Sequence, residues 1–411
     1  MLSRPSKTVA KRFASTATAS RVIQEKTSVL NNGLSVSSVE LNGANSSLVL
    51  AFRAGSRYQP ANKQGLVHII RNSIGRDSHE FPGLSLVWNT AANGGQIRAL
   101  SNRDILAVKL DVVRDNVPVA LSLLGQLGTN AFKPWDVEDV KHDTIQPDHV
   151  YLTGNTIALE QLHQAAFRNG PLARSNYGTN NVSASDITTF ASQRLLSGEA
   201  VLVGVNVNHD LLVESAAQQF PIAEGTATQS PESKYFGGEA RKDGPGSQTF
   251  VAIAGEGASL KSHKDAAVQA VVAQILLDAA QKVCLKSESV NLNYQDAGLV
   301  GVQFYGDNSG ITSKTKSIVS ALKTAEISNI NAAKNTAALK VLTSGQKASN
   351  VALDVATQVL SGINALSPSE FAETIKSVSE QDVSKFLSRV TGKLSLAAYG
   401  TPSLVPFLDE L

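Results

Sequence analysis

An internal repeat is the strongest constraint on how this chain can fold. Residues 182–190 (VSASDITTF) resemble residues 378–386 (VSEQDVSKF), 196 positions later. Each copy is followed by the end of a helical pattern, a glycine and an apolar run, which reaches Gly204 in the first half and Gly400 in the second. A repeat that keeps nearly the same spacing from its first residue to its last predicts two copies of one structural unit in tandem. With 411 residues, the chain is also long enough for two domains.

Strand and helix patterns recur in the same order in both halves, which predicts an α+β fold with helices packed on a sheet in each domain. The Gly-, Ser- and Pro-containing stretch 223–247 is predicted to be the linker between domains 21–222 and 248–411. Two early strands are predicted to pair around the turn Asn42–Asn45. The strands are predicted over 35–39, 47–52, 97–101, 105–113, 200–207, 249–254 and 299–305, and the helices over 65–73, 117–126, 156–167, 185–196, 264–283 and 313–322.

Residues 68–72 (HIIRN) have the spacing of an inverted zinc-peptidase motif without its chemistry. In H-x-x-E-H on a helix, two histidines on one face bind Zn²⁺ and the glutamate activates the bound water. Here His68 is kept, but Arg71 replaces the glutamate and Asn72 replaces the second histidine. A guanidinium accepts no proton from water and repels a divalent cation. We predict a vestigial motif, with no catalytic, cofactor-binding or metal-binding residues; an unrelated buried helical histidine is the alternative.

The N-terminal segment differs from the rest of the chain. Up to Gln24 it contains five basic residues, no acidic residue and many Ser and Thr, without the apolar stretch of a secretory signal. This composition predicts a mitochondrial transit peptide over residues 1–20, and a disordered basic tail is the alternative. The weak net positive charge is largely confined to this segment, so nothing indicates nucleic-acid binding.

The composition restricts compartment and membrane contact. A single cysteine, Cys284, excludes an internal disulfide and is typical of a reducing compartment. The most apolar stretch, Ala266 to Ala280, is interrupted by Gln269, Gln274 and Asp278 and is too short to span a bilayer. Any membrane association is therefore expected to occur through partner subunits.

Taken together, the degenerate motif, the repeat and the N-terminal segment resemble the pitrilysin-type (M16) family of inverted zinc peptidases. Gly55-Ser56-Arg57-Tyr58, followed by Gly65-Leu66-Val67-His68, is similar to that family's approach to its metal helix. Residues 162–169, 332–335 and 406–411 look like those of the non-catalytic core subunits of the mitochondrial bc1 complex. The resemblance covers essentially the whole chain after the N-terminal segment. It implies a pitrilysin/LuxS-like fold, with a mostly antiparallel sheet in each domain.

The resemblance also implies a third departure from the zinc site. Active members supply a further glutamate ligand well after the motif, but the corresponding residues 143–151 (DTIQPDHVY) contain none. Asp148 and His149 are expected to form a partly exposed loop pair there rather than a metal site. Around Cys284–Lys286 we find no equivalent of the arginine and tyrosine that active members place over the substrate.

Three functions follow from the resemblance. The leading one is a structural subunit of respiratory complex III without cofactors of its own, peripheral on the matrix side of the mitochondrial inner membrane and bound to core 1, cytochrome b and cytochrome c1. The second is the regulatory, presequence-binding subunit of the mitochondrial processing peptidase. That subunit carries a glycine-rich loop after the long helix of its second half. In the corresponding part of this chain, no glycine lies between Gly257 and Gly298. The third is a zinc endopeptidase.

Overall fold

The computed structural model describes residues 24–178, 181–229, 232–327 and 329–411, without the side chains of residues 24 and 147–149. The predicted transit peptide, residues 1–20, lies outside these ranges. The first half forms a six-stranded sheet in the order β1-β2-β6-β3-β5-β4. Its strands are β1 (Gln24–Val29), β2 (Ser35–Glu40), β3 (Asn45–Phe52), β4 (Gln96–Ser101), β5 (Leu106–Val113) and β6 (Ala200–Val205).

The predicted pairing of the first two strands, β2 and β3, is wrong. β6 lies between them, parallel to β2 and antiparallel to β3. Every residue of β6 is buried, and an apolar strand covered on both faces belongs in the interior of a sheet. Asn206, which follows β6, donates its backbone N–H to Val39 O (2.8 Å) and its side-chain amide to Asn45 O (2.6 Å). It therefore holds β2 and β3 on either side of β6.

The second half repeats this arrangement. Its five-stranded sheet has the order β7-β11-β8-β10-β9, which is the order of the first sheet without β1. The pairs β7–β11 and β2–β6 are parallel, and the other pairs in both sheets are antiparallel. The predicted α+β fold with two homologous halves is confirmed. The strands are β7 (Gly238–Asp243), β8 (Gln248–Gly257), β9 (Glu288–Asn293), β10 (Gly298–Asp307) and β11 (Leu394–Gly400).

The stretch 223–247, predicted as a linker, contains β7. The sequence of β7, Gly-Glu-Ala-Arg-Lys-Asp, lacks the apolar alternation that indicates a strand. β7 lies at the edge of the sheet, where a strand can expose charged side chains. Its backbone pairs with β11, and that pairing cannot be inferred from local composition. The domain boundaries at 222 and 247 remain a prediction.

Helices pack on both sheets, and two main apolar cores each lie between one face of a sheet and the helices that cover it. In the first half they are α1 (Leu66–Ser73), α2 (Gly83–Ala92), α3 (Val117–Leu127), α4 (Pro134–Val140), α5 (Gln146–Tyr151), α6 (Gly154–Phe167), α7 (Ala184–Arg194) and α8 (His209–Gln219). In the second half they are α9 (His263–Gln281), α10 (Ile311–Lys323), α11 (Ile330–Ser344), α12 (Ala348–Leu360), α13 (Pro368–Ser377) and α14 (Glu380–Gly392).

The two halves exchange one helix each. α6 packs on the second sheet, against β7, β8 and β11, whereas α12 packs on the first sheet, against β3 and β6. Each exchanged helix closes its own apolar cluster, so the central strands of each sheet are buried on both faces. The side chains that pack on the sheet are aliphatic and mostly small: Ala158, Leu162 and Ala166 from α6, and Val351, Ala352, Val355 and Ala356 from α12.

Candidate functional site at the degenerate zinc motif

The start of α1 is fixed by a close approach between two glycines. Gly65 caps the helix at φ 120°, a conformation that favours glycine. A Cβ added to Gly178 would lie 1.8 Å from Gly65 Cα, so the chain after α6 passes directly over the start of α1. Gln59 Oε1 accepts the Gly65 N–H at 3.1 Å. These contacts, together with the buried apolar side chains of α1, set the position of the degenerate motif.

The three motif residues lie at different depths. His68 is fully buried, and its ring stands edge-on to the Tyr177 ring at a centroid distance of 5.5 Å. The half-buried Arg71 guanidinium lies 5.7 Å from the centroid of that same ring, and its Nη1 is 3.5 Å from Ser101 Oγ on β4. The Asn72 amide donates to His68 O at 2.9 Å, along the helix. Tyr177, which sequence reasoning missed, therefore holds a positive charge beside the buried imidazole.

The segment expected to supply a loop is helical. α4 continues through a π-helical turn, Lys141–Ile145, into α5, so residues 148 and 149 belong to a helix rather than a loop. The physical reason is that Val137, Val140 and Ile145 are buried in the first core and keep the backbone wound. The α4 and π-helical part packs against α1.

The residues of the motif do not fit a zinc ion. One imidazole, one amide and one guanidinium offer a single good ligand, and the guanidinium repels the metal. Within the described ranges, no group of three or more His, Cys, Asp or Glu side chains is placed to hold a metal ion. That His68, Arg71 and Asn72 are a vestige of a catalytic site stays a prediction.

Directly before the motif, Arg57 joins the two halves. Its Nη1 donates to Asp104 Oδ1 at 2.9 Å and to Asp296 Oδ1 at 2.8 Å, and its Nη2 donates to Asp296 Oδ2 at 2.6 Å. The three side chains are 3%, 6% and 7% exposed. Burial by itself lowers the pKa of Arg57, but the hydrogen bonds and charges of the two carboxylates outweigh it and raise that pKa. Burial raises the pKa of Asp104, although Arg57 opposes the shift. No local sequence pattern indicates this triad, because Asp104 and Asp296 lie in different halves.

A second buried contact crosses the same junction. His163 on α6 is fully buried, and its Nε2 lies 2.8 Å from Tyr294 Oη in the second half. Burial, and then the charge of Arg103, lower the pKa of His163 well below its usual value, so the imidazole is neutral. His163 is therefore a packing and hydrogen-bonding residue of the junction between the halves.

The chain is similar to proteins of known kind along most of its length. Residues 35–180 match the family described as insulinase (peptidase family M16). Cytochrome b-c1 complex subunit 2 of Mus musculus is 26% identical, over 93% of this chain and 91% of that protein. The Neurospora crassa protein of the same name is 24% identical, over 98% and 94%. Mitochondrial-processing peptidase subunit alpha-2 of Dictyostelium discoideum is 26% identical, over 95% and 94%. Among the described helices, none has both the length and the apolar character to cross a membrane.

Proposed function

We propose that this chain is a member of the M16 peptidase family and a non-catalytic core subunit of mitochondrial complex III, the ubiquinol–cytochrome c reductase. The observation that carries the proposal is the similarity to cytochrome b-c1 complex subunit 2, which extends over 93% of this chain and 91% of the mouse protein. Fungal proteins of that name match over a similar span. In this role the protein supports assembly and stability of the complex, while other subunits transfer electrons from ubiquinol to cytochrome c.

The degenerate motif supports a role without catalysis. Arg71 stands where the water-activating glutamate would be, and the family's distal glutamate has no counterpart in residues 143–151. With Asn72 in place of the second histidine, three of the groups that a zinc peptidase needs are absent. An assembly role needs no reactive side chain, because a large and well-packed interface is sufficient to stabilise a complex.

The proposed partners are the core 1 subunit, cytochrome b and cytochrome c1, and the proposed location is the matrix side of the mitochondrial inner membrane. Attachment through partner subunits agrees with the lack of a membrane-crossing helix in the described part of the chain. The basic residues before Gln24 supply the matching mitochondrial address.

A second candidate, the presequence-binding subunit of the mitochondrial processing peptidase, is favoured by the match to its Dictyostelium alpha-2 subunit. The connection after α9 argues against it. Residues 282–287 form a tight turn in which Cys284 N–H donates to Ala280 O at 2.8 Å and Ser287 N–H donates to Cys284 O at 3.0 Å. This turn contains no glycine and leaves no room for a long loop that could bind a peptide.

Affinity purification of the tagged chain from its own mitochondria tests the proposal. Recovery of core 1, cytochrome b and cytochrome c1 in one native-gel band is the expected result, and recovery of a zinc-bearing processing subunit instead would favour the second candidate. Elemental analysis of the purified chain is expected to find no stoichiometric zinc. Restoring the motif with R71E and N72H should not produce zinc-dependent peptide cleavage, because the distal glutamate is still missing. Chelator-sensitive cleavage by that double variant would refute the assignment of the third ligand.

A further inference from the structure

A cavity of about 240 Å³ opens at the junction of the two halves. Four cationic side chains and three carboxylates line it, so its charge is positive by one. We name it the arginine cleft. Its charged lining residues are Arg53, Arg57, Arg194 and Glu199 from the first half, and Glu232, Lys261 and Asp296 from the second.

Each carboxylate of the arginine cleft already has a cationic partner. Glu199 pairs with Arg53 at 3.3 Å, and Glu232 lies 3.5 Å from Lys261 at the exposed rim. Asp296 binds Arg57 through both oxygens and also accepts the Ser233 N–H at 2.7 Å. Each of these carboxylates is therefore in direct contact with a cation other than Arg194.

Arg194 is the cation that remains. Its guanidinium lies 4.7 Å from the centroid of the Tyr58 ring, and no ion pair or hydrogen bond to its guanidinium occurs within the described ranges. Burial lowers the pKa of Arg194, and the charge of Arg53 lowers it further against the opposing effect of Tyr58 and Glu199. A half-buried cation of this kind is stabilised by an anion that comes within contact distance.

Other guanidinium groups at the junction have unused donors. The Nε atoms of Arg53 and Arg57 are buried and have no acceptor among the described residues. Arg174, which does not line the arginine cleft, donates to the backbone oxygens of Arg57 and Gln59 at 2.5 and 2.6 Å. Burial, followed by the charges of Arg57 and Arg194, lowers the pKa of Arg174. Buried N–H donors without acceptors are costly, and carboxylate and phosphate oxygens are the acceptors that match a guanidinium best.

We propose that the arginine cleft binds a small carboxylate or phosphate anion, with Arg194 as its principal contact and Arg53 and Lys261 as supporting cations. The volume is below that of pockets for drug-sized ligands, so the occupant is a single anionic group rather than a nucleotide. Because the cleft is lined from both halves, the bound anion would strengthen their junction. The proposal goes beyond the proposed function and does not depend on it.

Titration of the full chain with inorganic phosphate, at constant ionic strength maintained with chloride, tests the site by calorimetry. Saturable binding to a single site is expected, together with a rise in Tm that chloride alone does not produce. R194Q should weaken phosphate binding about tenfold or more, since a charge-assisted hydrogen bond is lost. R194K, which keeps the charge but loses the fork of donors, should bind with intermediate affinity. Acetate in place of phosphate distinguishes a carboxylate site from a phosphate site.

The matched control is R389Q. Arg389 also lies over an aromatic ring, 4.5 Å from the Phe386 centroid, near the end of α14, which is the repeat counterpart of α7. It does not line the arginine cleft. R389Q should bind phosphate like the wild-type chain. The proposal is overturned by non-saturable wild-type binding, by unchanged affinity in R194Q, or by equal weakening in R194Q and R389Q. If R194Q does not fold, the wild-type titration and R194K decide.

Discussion

Replacing Arg57 by methionine should destabilise the chain more than the loss of any exposed ion pair. Methionine keeps most of the apolar volume but leaves Asp104 and Asp296, only 6% and 7% exposed, facing each other without a cation. Breaking a buried ion pair by removing one partner typically costs about 3–5 kcal/mol. For halves of this size, that corresponds to a fall in Tm on the order of 10 °C.

The loss of stability in R57M should also depend on pH, and the pKa of Asp104 determines the direction of this dependence. Burial already raises the pKa of Asp104, and Arg57 is the main group that opposes this shift. Without Arg57 the pKa of Asp104 rises further, so the folded state holds that proton more tightly than the unfolded state. Stability is then gained at low pH and lost as pH rises through the folded-state pKa. Consequently, the deficit of R57M should be smaller at pH 5 than at pH 8.

Urea unfolding of wild type, R57M and the double variant R57M/D296N at both pH values provides the assay. D296N removes one of the two uncompensated charges, so the double variant should be more stable than R57M alone. The control is R114M, which breaks the exposed pair of Arg114 with Glu40, where Nη2 and Oε2 are 2.7 Å apart. An exposed pair contributes about 0–1 kcal/mol, with little pH dependence in this range. A loss in R57M no larger than that in R114M, or a larger loss at pH 5, would contradict the reasoning.

Three further predictions concern the halves, the motif and a helix cap. Expressed alone, either half, cut within 223–247, should fail to give a cooperative unfolding transition, because it lacks the helix supplied by the other half; co-expressed halves should copurify. G178A should destabilise the chain by about 1–3 kcal/mol or more, because its Cβ would lie 1.8 Å from Gly65 Cα. In the control G94A, the Cβ meets nothing within 4 Å, so this variant should cause only the milder strain of a positive φ. Hydrogen bonds from Ser183 and Lys63 lower the pKa of Asp186 to about 2. The ionised Asp186 therefore stabilises α7 at pH values above the unfolded-state pKa of this carboxyl, and the stabilisation is lost as pH falls toward 2. D186N should therefore lower the Tm at pH 7 and converge with wild type in acid.

The repeat could be predicted from the sequence because its signals are local. Ser183 and Ser379 cap equivalent helices, and each helix leads into the strand that occupies the same place in its sheet. The pairing of β2 with β6 could not be predicted, since the partners are separated by most of the first half. Local turn residues favoured the simpler pairing of β2 with β3, and only the burial of β6 on both faces excludes it.

At the candidate site, the departures of Arg71 and Asn72 from the zinc motif could be read from the sequence, but their surroundings could not. The change of residue type at Arg71 and Asn72 is visible in the one-letter code, whereas the Tyr177 ring that contacts both Arg71 and His68 has no motif around it. The helix exchange was missed for a related reason. The amphipathic pattern of α12 predicts a buried face, but not which sheet covers it.

The contacts that hold α1 and the two halves in place lie outside Arg71 and Asn72. α1 is held by its buried apolar side chains and by the Gly65–Gly178 contact, and neither depends on a bound ion. The halves are held together by the exchanged helices α6 and α12 and by the buried triad of Arg57, Asp104 and Asp296. Replacing Arg71 or Asn72 should therefore alter the chemistry of one helix face and leave this packing intact.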